Sequence, residues 1–575
     1  MKFIGSIFFL LFNIVSSSLP IIFDVEFSVA LKQNNTDLIK GALLDISDPT
    51  SSQYGKYWSL EKISKFTETE PKYKNTVINW FIENGIPRND MNVYADSIYC
   101  RTNKTDNVQR MFNVSFIPYK LQNKTYLVAE GDYKIPYDLQ EAIDFVEGIS
   151  RKRIPHTIKK YKSLSKSVDS GYMGREVVER LYNIKDDVII DNNESVGTIE
   201  YQGNSGFSQD NLLQSQKYNG EKIKKLSNKH IIGIDTYPDT ESELDVQMIS
   251  QTSEDVDIWY WGSKNWLYTF SINFLNAPEI PDVISMSWGW AEDQQCTLTN
   301  CTSITSQEYL DRVNTEYVKI GLRGTTIVVS SGDAGAPGRT SENCDEQRPI
   351  NPVYPGSSPW VTSLGATFVV ASNNTWNYTT PLCTNNNCAT GTKEIGTNYQ
   401  YTGWTAGGGF SIYSSETLPE WQKKAVNEYM ESGVKLPTHF SNNGRAYPDI
   451  SVVGHNCPVY AGGLFEDVDG TSCSAPIFAS IVSILNQHQR KNGRPKLGYL
   501  NPVLYKMYGD DPTIFNDIQE GYNWCSEYTC CPVRPDGGSD FGFKSAKGYD
   551  PVTGLGTPDV TKMMSWLDKS INRKD

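Results

Sequence analysis

The chain has 575 residues, 38% hydrophobic and 12% aromatic, with a formal net charge of −14 at pH 7. That length can bury a sizeable core and suits more than one domain. The acidic balance excludes the basic face a nucleic-acid partner requires and suits work in acid, where carboxylates neutralise and self-repulsion falls.

Met1 and Lys2 precede a short apolar run, Phe3 to Val15, and Ser16 to Ser18 supply small residues for cleavage. Residues 1–18 read as a secretory signal peptide. A membrane anchor needs roughly 20 apolar residues; neither this run nor a later one qualifies, so a soluble mature protein without an anchor is expected.

Residues 19–150 form a first unit of α+β pattern. Phe27 to Leu31 alternates like a strand, Asn35 to Ile46 and Lys72 to Glu83 are helical in pattern, and Asn92 to Ala95 and Tyr126 to Ala129 are short strands. Residues 151–170 then turn basic, with Arg151, Lys152, Arg153, Lys159, Lys160, Lys162 and Lys166. This linker reads equally as a solvated tether or as an exposed processing site.

From residue 171 strands alternate with helices. Val196 to Glu200 and His230 to Ile234 look like buried strands, Leu244 to Thr252 and Tyr309 to Gly321 like helices, and Asp282 to Ser287 and Thr325 to Ser331 like further strands. The rhythm predicts a parallel sheet with helices on both faces, and ligands bind beyond the carboxyl ends of such strands.

The eleven cysteines fit an oxidising route. Cys296/Cys301 and Cys383/Cys388 can close small loops. Cys344, Cys525, Cys530 and Cys531 can staple the end of the chain to the body. The odd count leaves at least one unpaired, with Cys100 and Cys473 as candidates. Sequons at Asn34, Asn103, Asn113, Asn123, Asn193, Asn300, Asn373 and Asn377 point the same way.

Three segments carry chemistry. Gly470 to Pro476 follows a polar loop, Phe465 to Asp469, and opens the apolar helical run Ile477 to Leu485. A serine at such a start, Ser472, has a bare hydroxyl beside unpaired N–H groups; the bland alternative is an N-cap. A nucleophilic serine needs a base, and none of the five histidines stands in a suitable setting. Glu241 and Asp245, four apart, share a helix face, with Leu244 and Met248 anchoring the opposite side; the bland reading is a solvated acidic helix start. Asp333 follows an apolar strand on a glycine-flanked turn, where a neutral carboxyl can donate to an oxyanion, or where an aspartate makes only local backbone bonds.

Together, Glu241-x-x-x-Asp245, Ser331-Gly332-Asp333-Ala334-Gly335 and Gly470-Thr471-Ser472-Cys473-Ser474 resemble the sedolisin family of serine-carboxyl peptidases. Tyr354 to Thr362, Gly407 to Ser411 and Gly444 to Asp449 agree, and Phe27 to Tyr57 resembles the family's activation prodomain. The likeness covers nearly the whole chain after the signal. It implies an α/β, subtilisin-like parallel-sheet catalytic domain over 171–575, an N-terminal α+β prodomain over 19–150, and a linker at 151–170 that is cut. It implies Ser472 as nucleophile, Glu241 as general base, Asp245 orienting Glu241, and Asp333 in the oxyanion hole. It further implies a calcium loop near the C-terminus, with side-chain oxygens from Asp517 and Asp550 and carbonyls of Ile518, Ala546 and Gly548; an all-oxygen shell suits Ca²⁺. Ala546 departs from an expected glycine, and Cys473 from the expected small residue.

A glutamate base, with a reference pKa of about 4.3, suits an acid optimum of roughly pH 3.5–5. The expected activity is removal of tripeptides from the free N-terminus of unfolded peptides, in a lysosome-like compartment or outside the cell, with the prodomain as inhibitor until acid weakens its salt bridges. The rivals are an acid endopeptidase of the same family and a catalytically silent secreted glycoprotein.

Overall fold

The structure, a computed structural model, describes residues 24–121, 124–149, 159–161, 173–185, 194–201, 206–233, 238–339, 350–371, 383–384, 387–388, 392–413, 418–526 and 530–571. The signal segment, most of the linker and Cys344 lie outside these residues.

The N-terminal unit is an antiparallel sheet with helices against it. Val25–Leu31 (β1) lies between Ser97–Thr102 (β3) and Ile143–Glu147 (β4), with Met91–Val93 (β2) on the far side of β3. The alternation read from Phe27 onward holds on a sheet covered on both faces. Phe27, Val29 and Leu31 join the unit's own core with Val77, Phe81 and Phe112. Ala30 instead joins Ile39, Leu43 and Ile46 of helix Thr36–Ser47 (α1) in an apolar layer shared with the larger domain.

Lys159–Tyr161 (β5) is the described part of the linker. The larger domain centres on Ser195–Glu200 (β6), Ile231–Ile232 (β7), Asp257–Gly262 (β8), Val283–Met286 (β9), Thr326–Ser330 (β10), Thr362–Ala371 (β11), Thr392–Gly396 (β12) and Ile450–Val453 (β13). The order is β12-β11-β10-β9-β6-β8-β7, with β13 also on β11, and every pair is parallel except β11/β12. This is the parallel α/β sheet that the strand–helix rhythm predicts.

Two expected elements differ. Of the strand expected over His230 to Ile234, Ile231–Ile232 is strand among the described residues, half-buried at the sheet edge with β8 as its partner, and Ile234 lies outside those residues. The polar loop expected over Phe465 to Asp469 is a strand, Leu464–Asp469 (β15), paired with Cys457–Ala461 (β14). Its side chains are mostly polar because it belongs to a small separate sheet; the backbone ladder holds it.

Helices Thr240–Thr252 (α2) and Thr471–Lys491 (α5) pack on each other, and α5 crosses β9, β10 and β11. Helices Leu267–Asn276 (α3) and Ser306–Leu322 (α4) pack together in the apolar layer shared with α1. A capping box fixes the start of α4: Thr305 accepts from the Glu308 N–H, and Glu308 accepts from the Thr305 N–H.

The prodomain docks on α3 and α4 through polar groups as well as that layer. Lys319 of α4 bonds Asp96 at 2.5 Å, and the buried Arg312 bonds the Asp96 carbonyl at 2.9 Å and the Asp144 carboxylate at 3.1 Å. Glu147 accepts from Tyr309 Oη at 2.6 Å and from the Thr269 N–H at 2.9 Å. Among the described residues, no helix is long and apolar enough to cross a membrane.

Disulfides join Cys296 to Cys301 and Cys525 to Cys531. Cys100, Cys457 and Cys473 are buried free thiols.

Candidate active site

Ser472 is the second residue of α5 and 3% exposed. No side chain of its own segment caps the helix. Gly470, at φ 154°, takes the N-cap position, and a Cβ there would stand 3.1 Å from Asp333 Oδ2. Asp333 supplies the cap from across the sheet: Oδ1 accepts from the Thr471 N–H at 2.7 Å and from Thr471 Oγ1 at 2.8 Å. Thr471 Oγ1 in turn accepts from the Gly332 N–H at 3.1 Å. The bonds of Asp333 are therefore long-range ones that join the turn after β10 to the start of α5.

Pro476 lies inside α5. It has no N–H to give the Ser472 carbonyl, and that carbonyl accepts from Ser287 Oγ at 3.4 Å. The Ser472 hydroxyl donates to the Ser287 carbonyl at 3.5 Å.

Glu241 lies in the first turn of α2, after the N-cap Asp239, which accepts from the Ser242 N–H at 3.1 Å. The solvated helix start is excluded: Glu241 is 1% exposed and Asp245 fully buried. The helix has no single anchored face. It is buried all round from Glu241 to Thr252, wedged between α5 and the sheet, so Leu244 and Met248 are only part of its packing.

Burial pushes the Glu241 carboxyl well above the ordinary glutamate range; a hydrogen bond with Ser472 pulls it down, and the charges of Asp333 and Asp239 push it up. Asp245 is likewise pushed well up, by burial and then by Glu241. It accepts from Thr198 Oγ1 at 2.6 Å and from Ser287 Oγ at 2.8 Å. The two carboxyls cannot both ionise cheaply so close together, so they share protons as a unit.

Sequence reasoning missed several members of this network. Glu200 ends β6, fully buried, and accepts from Trp288 Nε1 at 2.8 Å. Burial, then Asp245, pushes it well up. Thr198 and Ser287 also went unremarked as partners. A signal existed: Glu200 is an acid closing an apolar strand, and Ser287 and Trp288 follow the strand end where ligands were expected.

No histidine bonds Ser472 among the described residues. His455 bonds Asp469 at 2.6 Å instead. Cys473 fits at its position because its thiol turns inward, 3.3 Å from the Val468 carbonyl. A cleft of about 490 Å³ opens over the site, lined by Ser472, Ser287, Trp290, Asp333, Arg339 and Val353 among others. No described prodomain residue lines it.

Near the C-terminus, Asp517 and Asp550 grip one loop. Asp517 accepts from the Gly548 N–H at 3.0 Å, and Asp550 from the Ala546 N–H at 3.0 Å, the Val552 N–H at 2.9 Å and the Thr553 N–H at 2.8 Å. Asp550 is fully buried, and burial pushes it up to about 7 against those bonds. No Lys, Arg or His pairs with it among the described residues. Asp550 is a buried carboxyl without a cationic partner among the described residues, and Asp517 bonds the same loop, so both bring carboxylate oxygens of the kind that fits Ca²⁺. Among the described residues no three His, Cys, Asp or Glu group to hold a metal, so a shell would depend on backbone carbonyls.

Comparison with known proteins agrees with this arrangement. Residues 22–152 match the pro-kumamolisin activation domain, and residues 233–499 the subtilase family. The chain is 37% identical to physarolisin of Physarum polycephalum over 551 residues, 94% of this chain and 92% of that protein. It is 28% identical to tripeptidyl-peptidase 1 of Homo sapiens over 570 residues, 95% and 92% of the two chains. The solved structure of Pseudomonas sedolisin, a serine-carboxyl proteinase, superposes with a TM-score of 0.51 at 21% identity, covering 71% of this chain and all of that one, which supports the subtilisin-like fold. The chain is a serine peptidase of the sedolisin family, built as a subtilisin-like domain behind an activation prodomain.

Proposed function

We propose that the chain is the zymogen of an acid peptidase in which Ser472 attacks the scissile carbonyl and Glu241 takes its proton. The observation that carries this reading is the buried Glu241 bonded to Ser472, with no histidine on that hydroxyl among the described residues. Asp245, held by Thr198 and Ser287, orients Glu241 and shares its proton. Asp333 Oδ1 is committed to accepting from Thr471. A proton on Asp333 therefore rides on Oδ2, from which it can be donated to the oxyanion of the tetrahedral intermediate. Glu241 then returns its proton to the leaving amine, and water, activated the same way, releases the acyl group.

The substrates are unfolded peptides, and the favoured product is an N-terminal tripeptide. Support comes from relatives named tripeptidyl-peptidase 1 that align over nearly the full length. Their identity is 28%, and an acid endopeptidase of the same family is the second reading. Bound calcium would hold the C-terminal loop through Asp517, Asp550 and the carbonyls of Ile518, Ala546 and Gly548. The signal segment and sequons support an acidic compartment of the secretory route, lysosome-like, with secretion as the alternative.

The test is mass spectrometry of products from a free-amino peptide and its N-acetylated twin, after acid activation, beside Ser472→Ala. Successive three-residue losses, confined to the free-amino peptide and absent in the mutant, support the tripeptidyl reading. Internal cuts in both peptides support the endopeptidase. Cleavage that survives Ser472→Ala contradicts the nucleophile.

A further inference from the structure

Two buried free thiols meet beside the nucleophile. Cys457 opens β14 and stands opposite Val468 in the β14–β15 ladder. Cys473 follows Ser472 in the first turn of α5, and its Sγ lies 3.3 Å from the carbonyl of the same Val468. The two thiols hydrogen-bond each other, and both side chains are fully buried. Cys100, the third free thiol among the described residues, belongs to the prodomain core.

The pair sits in a chain that makes disulfides elsewhere, Cys296 with Cys301 and Cys525 with Cys531. Among the described residues no three His, Cys, Asp or Glu group to hold a metal, so each thiol has the other as its chemical partner. The backbone from Cys457 to Cys473 runs through β14, β15 and Gly470-Thr471-Ser472. A bond between the two sulfurs therefore closes a ring that contains the nucleophile.

We propose that Cys457 and Cys473 are a site of reversible covalent modification, oxidised to a disulfide by a disulfide donor of the glutathione class, and that the closed form is the slower peptidase. The effect on rate rests on the reading of Ser472 as nucleophile; the bond itself does not.

In the reaction one cysteine, as thiolate, attacks a sulfur of the donor, forms a mixed disulfide and releases one donor thiol. The second cysteine attacks the first, the Cys457–Cys473 bond forms, and a second donor thiol leaves. The two cysteines lose two electrons and two protons, and the donor gains both. Burial pushes the Cys473 thiol well up, so few thiolates form in the closed fold. Exchange therefore belongs to folding, or to openings of the β14–β15 hairpin near neutral pH. Acid then preserves whichever state was reached.

The rate effect follows from distance. Non-bonded atoms rest about 3.5–4 Å apart, whereas a disulfide holds its sulfurs about 2.05 Å apart. Closing the bond draws β14 and the start of α5 together. Ser472 precedes Cys473 directly, and its hydroxyl reaches the Ser287 carbonyl at 3.5 Å. A misplacement of about 1 Å at a reacting group costs about 10²-fold.

The experiment treats the full-chain zymogen, and separately zymogen refolded in the same buffers, with glutathione disulfide or with dithiothreitol. One half of each sample is denatured, alkylated and peptide-mapped; the other is activated in acid and assayed. A linked Cys457–Cys473 peptide is expected after glutathione disulfide, with both thiols alkylated after dithiothreitol. Both thiols alkylated after glutathione disulfide, in the native and the refolded samples alike, overturns the pair. The linked enzyme is expected to show kcat/KM lower by about 10-fold or more, and an equal kcat/KM overturns the rate effect. Cys457→Ser, treated identically, should stay within a few-fold whichever reagent is used. An equal fall in that variant assigns the response to another cysteine and overturns the proposal. The peptide map of Ser472→Ala should show the same link, so the bond is judged apart from the nucleophile.

Discussion

Ser287 ties Asp245 to the nucleophile: its hydroxyl donates to Asp245 Oδ1 at 2.8 Å, and its carbonyl accepts the Ser472 hydroxyl at 3.5 Å. Thr198 holds the other Asp245 oxygen at 2.6 Å. Removing either hydroxyl leaves a buried carboxyl short of a donor, at a cost of about 1–3 kcal/mol. Thr198→Val is expected to lower unfolding stability by that amount and kcat by roughly 10-fold, with KM nearly constant. Ser287→Ala should act alike. Steady-state kinetics beside chemical denaturation check both.

Asp333 and Glu241 set the pH response together. Glu241 serves as a base only when deprotonated, so the rate falls as pH drops through its pKa. Burial has moved that pKa up. The acid limb of kcat/KM therefore belongs above the value of about 4.3 for a free glutamate. Asp333→Asn keeps an acceptor for Thr471 and keeps a donor for the oxyanion. It should lose about 10-fold in rate and leave the acid limb in place. Asp333→Ala, without a donor, should lose about 10²–10³-fold. Full pH–rate profiles of the three enzymes decide it.

The prodomain interface answers pH through carboxyls of opposite sign. Burial raises Asp96, but Lys319 and Arg312 outweigh it and hold the carboxyl below its ordinary value of 3.8. A depressed docked-state pKa contributes fully above 3.8 and is lost only as pH falls through that lower value. Glu147 runs the other way: burial raises it above 4.5, so the cost of its buried charge is relieved as pH falls. Mild acid therefore does not loosen docking through Asp96. Asp96→Asn in the Ser472→Ala zymogen should lower Tm at pH 6, where it leaves buried Lys319 with Glu316 alone, and lower it less near pH 3. Equal losses at both pH values would contradict this assignment.

The proposed calcium loop carries a pH-dependent prediction through Asp550. Its folded, metal-free carboxyl is pushed up to about 7 by burial, against an ordinary value of 3.8. Without metal, stability falls as pH rises between those two values, because the unfolded chain ionises Asp550 first. Calcium offsets the buried charge, so chelation should lower Tm by several degrees at pH 7 and hardly at all at pH 4. Asp550→Asn should abolish the difference. Calorimetry with and without chelator tests it.

Much of the fold and the core of the site are legible in the residues. The i,i+4 spacing of Glu241 and Asp245 survives as a helix turn, and the glycine-flanked Asp333 and Ser472 meet where β10 and α5 end and begin. The partners were less legible because they come from other strands: Thr198 and Glu200 from β6, Ser287 and Trp288 from the end of β9. Hydrophobic periodicity places each strand but not its neighbours. It also misjudged β15, whose polar sequence is held by backbone pairing, and it gave α2 as a helix but with one anchored face, where the helix is buried all round. The Arg312–Asp96 contact spans 216 residues, which no local pattern reports.

The central claim is that a carboxylate, not an imidazole, activates Ser472. It is tested most directly by kcat/KM of Glu241→Gln beside His455→Gln, both acid-activated and folded. The account predicts a loss of about 10³-fold or more for Glu241→Gln and a change within a few-fold for His455→Gln. Substantial activity in Glu241→Gln, with loss in His455→Gln, would contradict it.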